Sequence, residues 1–319
     1  MDAAALVDHP SGFLALSSRN ARLTLDGTPG FIAYREQGRH LVAFGGVHAP
    51  PAARGPLLDH FVAHATARGR GAIAVQVREP QVELFRGRGF RVNALGTSFG
   101  LGLERFSLGG GDKMQLRNKI SRARRAGLRV VELGRDVPRD ERSFAALAGV
   151  SARWLEAKRH HELDFMVGEL GHPEDAQRRV FAALDGGGHP VAFITYVPVW
   201  GTTPGYLHDL TRRRPDAPAG AIELTNAHAI ERMRADGTPF LHFGFTPFIV
   251  GGDEPPGASR LAAWLIRQLG RHGSMIYPAT SQARYKLKWG PDLCEREYLA
   301  ARPLSIRGVV DLLRLTRSL

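Results

Sequence analysis

The chain has 319 residues, 43% of them hydrophobic and 23% charged, ordinary globular values that exclude wholesale disorder and leave room for about two domains. Its 43 Lys and Arg against 31 Asp and Glu give a formal net charge of +12, which points to a polyanionic partner such as nucleic acid, an anionic membrane or a phosphate-rich cofactor. The single Cys294 excludes an internal disulfide, and neither a signal-peptide pattern nor a run of about 18 apolar residues is present, so a cytoplasmic protein without a transmembrane segment is the expectation.

From the N-terminus, residues 8–18 read as a short helix or loop. Alternating segments at 22–25 and 30–36 flank an Asp26-Gly27 turn, and a third strand at 40–45 follows Gln37-Gly38. HAPPAARG leads into a helix at 56–67, with Leu57, Leu58, Phe61, Val62 and Ala65 on one face, and then a strand at 72–77. Next come a strand at 100–104, the turn SLGGGDK and a basic helix at 114–126 that stops at Gly127. Arg117, Lys119, Arg122, Arg124 and Arg125 lie around several sides of that helix, a pattern for phosphate contact or for a solvated linker. GRDVPRD at 134–140 marks a boundary between domains 1–135 and 136–319, and a long helix follows at 141–158.

The second half repeats the first. Strands at 180–185 and 191–197 are joined by GGGHP; a strand at 206–211, a basic loop at 212–220, a helix at 221–235 and a strand at 239–245 complete a second series. Hairpin, loop, helix and strand thus occur twice, which two copies of one α/β unit explain most simply. The later series contains a βαβ crossover whose loop opens at a helix N-terminus, the place where α/β proteins hold ligands.

Four groups of residues there carry chemistry. Asp209 lies in a strand between Leu207 and Leu210, where a carboxylate needs a cation, either Arg212 or the amine of a ligand. Arg212, Arg213 and Arg214 precede Pro215, and the loop closes on Gly220 at the helix start, a geometry for a phosphate or carboxylate. Glu223, in the first helical turn, borders the buried face. Near the C-terminus, RYKLKW alternates Tyr285, Leu287 and Trp289 with Lys286 and Lys288, a strand spacing that puts two amines on one face to hold an anion. His160, His161 and Cys294 lack metal-ligand spacing, and the prolines of APAG disfavour an acyl-CoA pyrophosphate site. The tail at 304–319 reads as an amphipathic basic helix, packed on the domain or lying on a membrane.

FIAYREQGRHLVAFGG, GFRVNALGTSFGLGLERFSLGGGDKMQLRNKISRARRAGL, SARWLEAKRHHELDFMVG, LHDLTRRRPDAPAGAIE, FGFTPF and YKLKWGP together resemble, in order, the C-terminal domain of lysylphosphatidylglycerol synthases. The resemblance implies two tandem α/β domains of the GNAT type, each a twisted mixed sheet flanked by helices. It implies transfer of an aminoacyl group from aminoacyl-tRNA, as co-substrate and without a further cofactor, to the hydroxyl of phosphatidylglycerol or a related lipid. Soluble relatives leave a small-molecule acceptor open, and an acyl-CoA-dependent transferase is the other alternative. A stand-alone form without the membrane enzymes' multispanning region is expected, with peripheral membrane contact possible. By resemblance Asp209 and Glu223 bind amino groups, Arg212 a phosphate or the tRNA end, and Lys286 or Lys288 the terminal phosphate, with His208, Arg214, Gly220 and Gly244 of FGFTPF beside them. His208, the 2′-hydroxyl of the terminal adenosine and water are the candidate bases. The sequence departs from the family pattern after Pro291, at DLCEREYL.

Overall fold

A computed structural model describes residues 3–158, 168–272 and 279–316. The predicted His160 and His161 lie outside them. The strands are β1 (Ala21–Leu25), β2 (Thr28–Gln37), β3 (His40–Phe44), β4 (Gly71–Arg78), β5 (Arg91–Gly102), β6 (Arg129–Glu132), β7 (Arg179–Leu184), β8 (Pro190–Val199), β9 (Gly205–Arg213), β10 (Phe240–Pro247) and β11 (Leu293–Arg302). The helices are α1 (Gly12–Ala15), α2 (Pro51–Ala67), α3 (Val82–Arg86), α4 (Met114–Arg125), α5 (Glu141–Lys158), α6 (Ala221–Ala235), α7 (Arg260–His272), α8 (Ala279–Leu287) and α9 (Ile306–Leu315).

All these strands form one mixed sheet in the order β1-β2-β3-β4-β11-β5-β10-β9-β8-β7-β6. The α/β class, a mixed sheet flanked by helices, is the expected one, and the strands of the two halves join into a single continuous sheet. The reason is an exchange of strands. β5 follows β4 in the chain yet pairs with β10, β11 follows β10 yet pairs with β4, and β5 and β11 pair with each other. We keep the division at 135/136 as a proposal that separates the two crossovers β3-α2-β4 and β9-α6-β10, while β5 and β11 bind the halves together. Strands such as β8 are apolar almost throughout because helices cover both faces. Leu57 and Phe61 of α2, Phe85 of α3, Ile120 of α4 and Ile230 of α6 pack on one face; Phe144 of α5, Ile266 of α7 and Leu315 of α9 pack on the other.

Two expectations need correction. RYKLKW is not a strand: residues 285–287 end α8, and the following Gly290 and Pro291 stop it before β11 begins. Helical packing of Ala279, Ala283 and Lys286 against β10 outweighs the alternation of residue types, so Lys286 and Lys288 do not share one strand face. The strand read at 100–104 is only the end of β5. The tail helix packs on the domain, the first of its two readings, because Asp311 accepts bonds from the backbone N–H of Arg39 at 3.0 Å and from the His40 ring at 2.7 Å.

Candidate active site at the parting of two parallel strands

β9 and β10 pair only from Gly205 and Phe240 to Leu207 and His242. Beyond that point β9 stays with β8 as far as Arg213, and β10 stays with β5 as far as Pro247. Each strand carries a register shift where they part, β9 against Ile194 and Tyr196 of β8, and β10 at His242 and Gly244. Such bulges strengthen local twist, and here they pull the two strands in opposite directions. Gly244 takes φ +73° at this point, the left-handed region that glycine enters without penalty.

Parting leaves backbone groups of two neighbouring strands without each other, and a side chain takes up two of them. Lys286 reaches from α8 and donates to the carbonyls of Gly244 and Phe245 at 2.8 and 2.9 Å. Burial lowers its pKa to about 7, a shift that Glu297 partly offsets.

Between the strands and beneath α6 stands a polar group in aromatic surroundings. His208 of β9 has the rings of Tyr196, Phe243 and Tyr285 at 5.3, 6.0 and 5.9 Å. Its Nε2 meets the Thr211 hydroxyl at 2.6 Å. Burial and the nearby Lys286 depress its pKa to about 3, so the imidazole is neutral at any ordinary pH. Tyr196 donates its hydroxyl proton to Asn226 Oδ1 at 2.6 Å. His208 Nδ1, Asn226 Nδ2, the Tyr285 hydroxyl and Trp289 Nε1 are buried without a well-formed hydrogen bond among the described residues, although the Asn226 and Trp289 side chains stand near enough to His208 and Tyr285 to bear on their pKa values. Leaving one such group unpaired costs about 1–3 kcal/mol. Four in one neighbourhood mark a place built for polar atoms from elsewhere.

Charged groups guard the same face. Glu223 accepts from Lys288 at 2.7 Å and from Lys119 of α4 at 3.2 Å. Burial pushes the Glu223 carboxyl up, but these two ammonium groups hold it below its usual value. Lys288 also lies 4.0 Å from the Tyr285 ring centroid. Gly220 caps α6 at φ +93°, and a Cβ there would collide with the Lys119 carbonyl, so only glycine lets α4 approach closely enough to deliver Lys119.

The structure therefore gathers His208, Gly220, Glu223, Gly244, Lys119, Lys286 and Lys288, and separates the others. Asp209 and Arg212 project from the opposite face of β9. The cation that Asp209 needs is Arg178, at 2.5 Å, and not Arg212. Burial raises Asp209 to a pKa of about 6 although Arg178 pulls the other way. The Arg212 guanidinium stacks on Trp154 of α5 at 4.2 Å. Arg214 is bonded to Asp216. Arg117 donates to the carbonyls of Leu108 and Gly110 at 2.6 Å, tying down its own turn, while Arg122, Arg124 and Arg125 are exposed on α4. Tyr196, Asn226, Tyr285, Trp289 and Arg178 escape the sequence reading. Only Asn226, a polar residue in the apolar stripe of α6, offered a signal.

Residues 3–301 match the family model described as the C-terminal region of phosphatidylglycerol lysyltransferase. The bifunctional lysylphosphatidylglycerol biosynthesis protein LysX of Mycobacterium avium is 30% identical over 239 residues, covering 72% of this chain but 20% of that protein. The chain thus spans about a fifth of the length of the curated relatives it matches. Among solved structures, the C-terminal domain of an Agrobacterium fabrum protein bearing the name lysylphosphatidylglycerol synthetase superposes with a TM-score of 0.80 at 23% identity, covering 98% of this chain and 93% of that one. The structure of L-PGS from Bacillus licheniformis gives 0.79 at 18% identity, with 97% and 91% covered. At these identities the two structures establish a shared fold.

Proposed function

The chain belongs to the phosphatidylglycerol lysyltransferase C-terminal family, and from that premise we propose that it transfers an aminoacyl group from aminoacyl-tRNA to the hydroxyl of phosphatidylglycerol or a related lipid. The observation that carries this reading is the set of polar atoms where β9 and β10 part that make no well-formed hydrogen bond: three donors, Asn226 Nδ2, Tyr285 O–H and Trp289 Nε1–H, beside one acceptor, His208 Nδ1, held only loosely by one another.

That set suits acyl transfer from an ester. The acceptor oxygen adds to the ester carbonyl carbon, and charge collects on the carbonyl oxygen. Fixed donors in a water-poor site stabilise such charge strongly. Burial, followed by the nearby Glu223 charge, raises the Tyr285 phenol well above its usual pKa, so it stays a donor throughout. His208 Nδ1 takes a hydrogen bond from the attacking hydroxyl and orients it. Because its pKa is about 3, the proton does not rest there but passes to the ribose oxygen that leaves as the C–O bond breaks. An activated ester needs alignment more than strong acid or base.

The pairing of the carboxylates bears on the amino acid. Asp209 holds Arg178, and Glu223 holds two lysines, so among the described residues a cationic aminoacyl side chain gains no carboxylate without displacing a partner. We read the donor as carrying a small neutral amino acid, with α4's exposed Arg122, Arg124 and Arg125 contacting tRNA phosphates. An acyl-CoA donor fits less well, since Glu223 puts negative charge in the first turn of α6, where a pyrophosphate would bind.

Incubation of the purified chain with labelled aminoacyl-tRNA and phosphatidylglycerol, followed by lipid extraction, tests the reading. Label in the lipid fraction that RNase pretreatment abolishes is the expected result. Label that stays in the aqueous phase on a small molecule would replace the acceptor, and transfer that survives RNase would sink the donor.

A further inference from the structure

Of the six large apolar side chains exposed among the described residues, three lie within five residues of α7: Leu261 at 62%, Trp264 at 52% and Leu265 at 39%. Their spacing of three and four residues places them on one face of the helix. The opposite face is already used, since Ala263 and Ile266 are buried against the sheet. α7 is thus apolar on its outer side as well as its inner one. Arg260, Arg267 and Arg271, seven and four residues apart, form a row along one flank of the outer stripe and are all exposed, and the helix itself carries no acid. The carboxylate found beside it is Glu254, 3.7 Å from Arg267.

A Trp and two Leu beside a row of Arg is the composition of a helix that lies in a lipid interface. Arginines at phosphate level are attracted by an anionic leaflet, and the Trp ring suits the headgroup boundary. Location agrees with this. α7 follows β10 in the chain, on the side where β9 and β10 have parted, and its Gly270 packs so closely on the Phe248 carbonyl that no Cβ fits. The tail helix, which the sequence suggested for this task, is held to the sheet by Asp311.

We infer that α7 docks the protein on an anionic phospholipid bilayer, with Leu261, Trp264 and Leu265 entering the acyl boundary and Arg260, Arg267 and Arg271 on the phosphates. The surface is read from exposure and charge alone, and its test involves no turnover, so its outcome is separate from that of the proposed transfer reaction.

Sedimentation of the full chain with vesicles of mixed phosphatidylglycerol and phosphatidylcholine, and with phosphatidylcholine alone, is the experiment. Binding to the anionic vesicles at least about tenfold tighter, weakening with salt, is expected. Vesicles with brominated acyl chains should quench part of the tryptophan emission, and Trp264→Phe should remove most of that quenching, since Trp289 is fully buried and the half-buried Trp154 and Trp200 are stacked on Arg212 and Phe13. Leu261→Ser with Leu265→Ser should lower partitioning about tenfold or more. If this double variant fails to fold, Arg260→Glu with Arg271→Glu gives the same fall through charge. The inference is overturned by unchanged partitioning in these variants, by emission that brominated lipid leaves untouched, or by sedimentation equilibrium showing a lipid-free dimer that shields Trp264 from a soluble quencher.

Discussion

The two crossovers β3-α2-β4 and β9-α6-β10 have the same topology and opposite fates. β3 and β4 pair without interruption from His40 and Gly71 to Phe44 and Val75, and the loop that follows is sealed from within. The Gln81 amide accepts from Val47 N–H at 2.9 Å and donates to the Val47 carbonyl at 3.1 Å, and the His48 ring bonds the Phe44 carbonyl at 3.0 Å. In the later crossover the strands part after three pairs, and four clustered buried polar atoms make no well-formed hydrogen bond. The first crossover makes the hydrogen bonds of its loop, with Gln76 Oε1 of β4 as a buried exception, and serves as scaffold, while its counterpart leaves a cluster of them incomplete in a form that a substrate can complete. A shared topology therefore does not say where chemistry happens; the hydrogen-bond balance does.

The strongest way to break this contrast is Tyr285→Phe. It removes a hydroxyl whose contact with the Trp289 ring N–H is loose, so thermal stability should hold while the transfer rate falls about 10²–10³-fold, the usual loss for a donor to an oxyanion. A full rate in that variant would deny the opening its role. Gln81→Ala is the complementary change in the sealed crossover. Chemical denaturation should show a loss of about 1–3 kcal/mol from the orphaned Val47 groups, with the rate constant of the folded fraction unaltered.

A smaller effect sharpens the reading of the charged mouth. Lys288→Ala leaves Glu223 with Lys119 alone, and competition between lysyl- and alanyl-tRNA should shift toward lysyl by about tenfold, or about 1.4 kcal/mol. No shift would mean that the aminoacyl side chain sits away from Glu223.

The smallest effect concerns pH. Glu297 lies on the face opposite Lys286, bonded to the Ser98 hydroxyl, and burial raises its pKa from 4.5 to about 8. Its contribution to stability is complete below pH 4.5 and is lost as pH rises through 8. Lys286 is lowered from 10.5 to about 7, so its contribution is complete above pH 10.5 and is lost as pH falls through 7. Glu297→Gln should accordingly flatten the decline in melting temperature between pH 5 and 8 expected of the native chain. An identical pH profile in both would show that Glu297 does not titrate in this range.

Much of this was legible beforehand, and the failures have physical causes. Alternation and turn residues located β2, β3, β7, β8 and the βαβ unit from 205 to 247, since those signals are local. Gly220 and Glu223 were legible because helix starts impose local demands on backbone and charge. RYKLKW misled because alternating residue types satisfy a strand pattern, although contacts with β10 from outside the segment made it helical. The partner of Asp209 is 31 residues away in sequence, and no spacing rule reaches that far.

By itself, then, the sequence determined the family, the order of most elements and the neighbourhood of the site, because composition, periodicity and motif are properties of adjacent residues. Only the tertiary structure decided that the halves exchange β5 and β11, that Asp209 and Arg212 face away from Glu223, and that Asn226, Tyr285 and Trp289 keep polar atoms unspent beside His208. Those outcomes depend on which strand a bulge turns aside and on which distant side chain arrives first at a buried charge. Both are settled by packing in three dimensions.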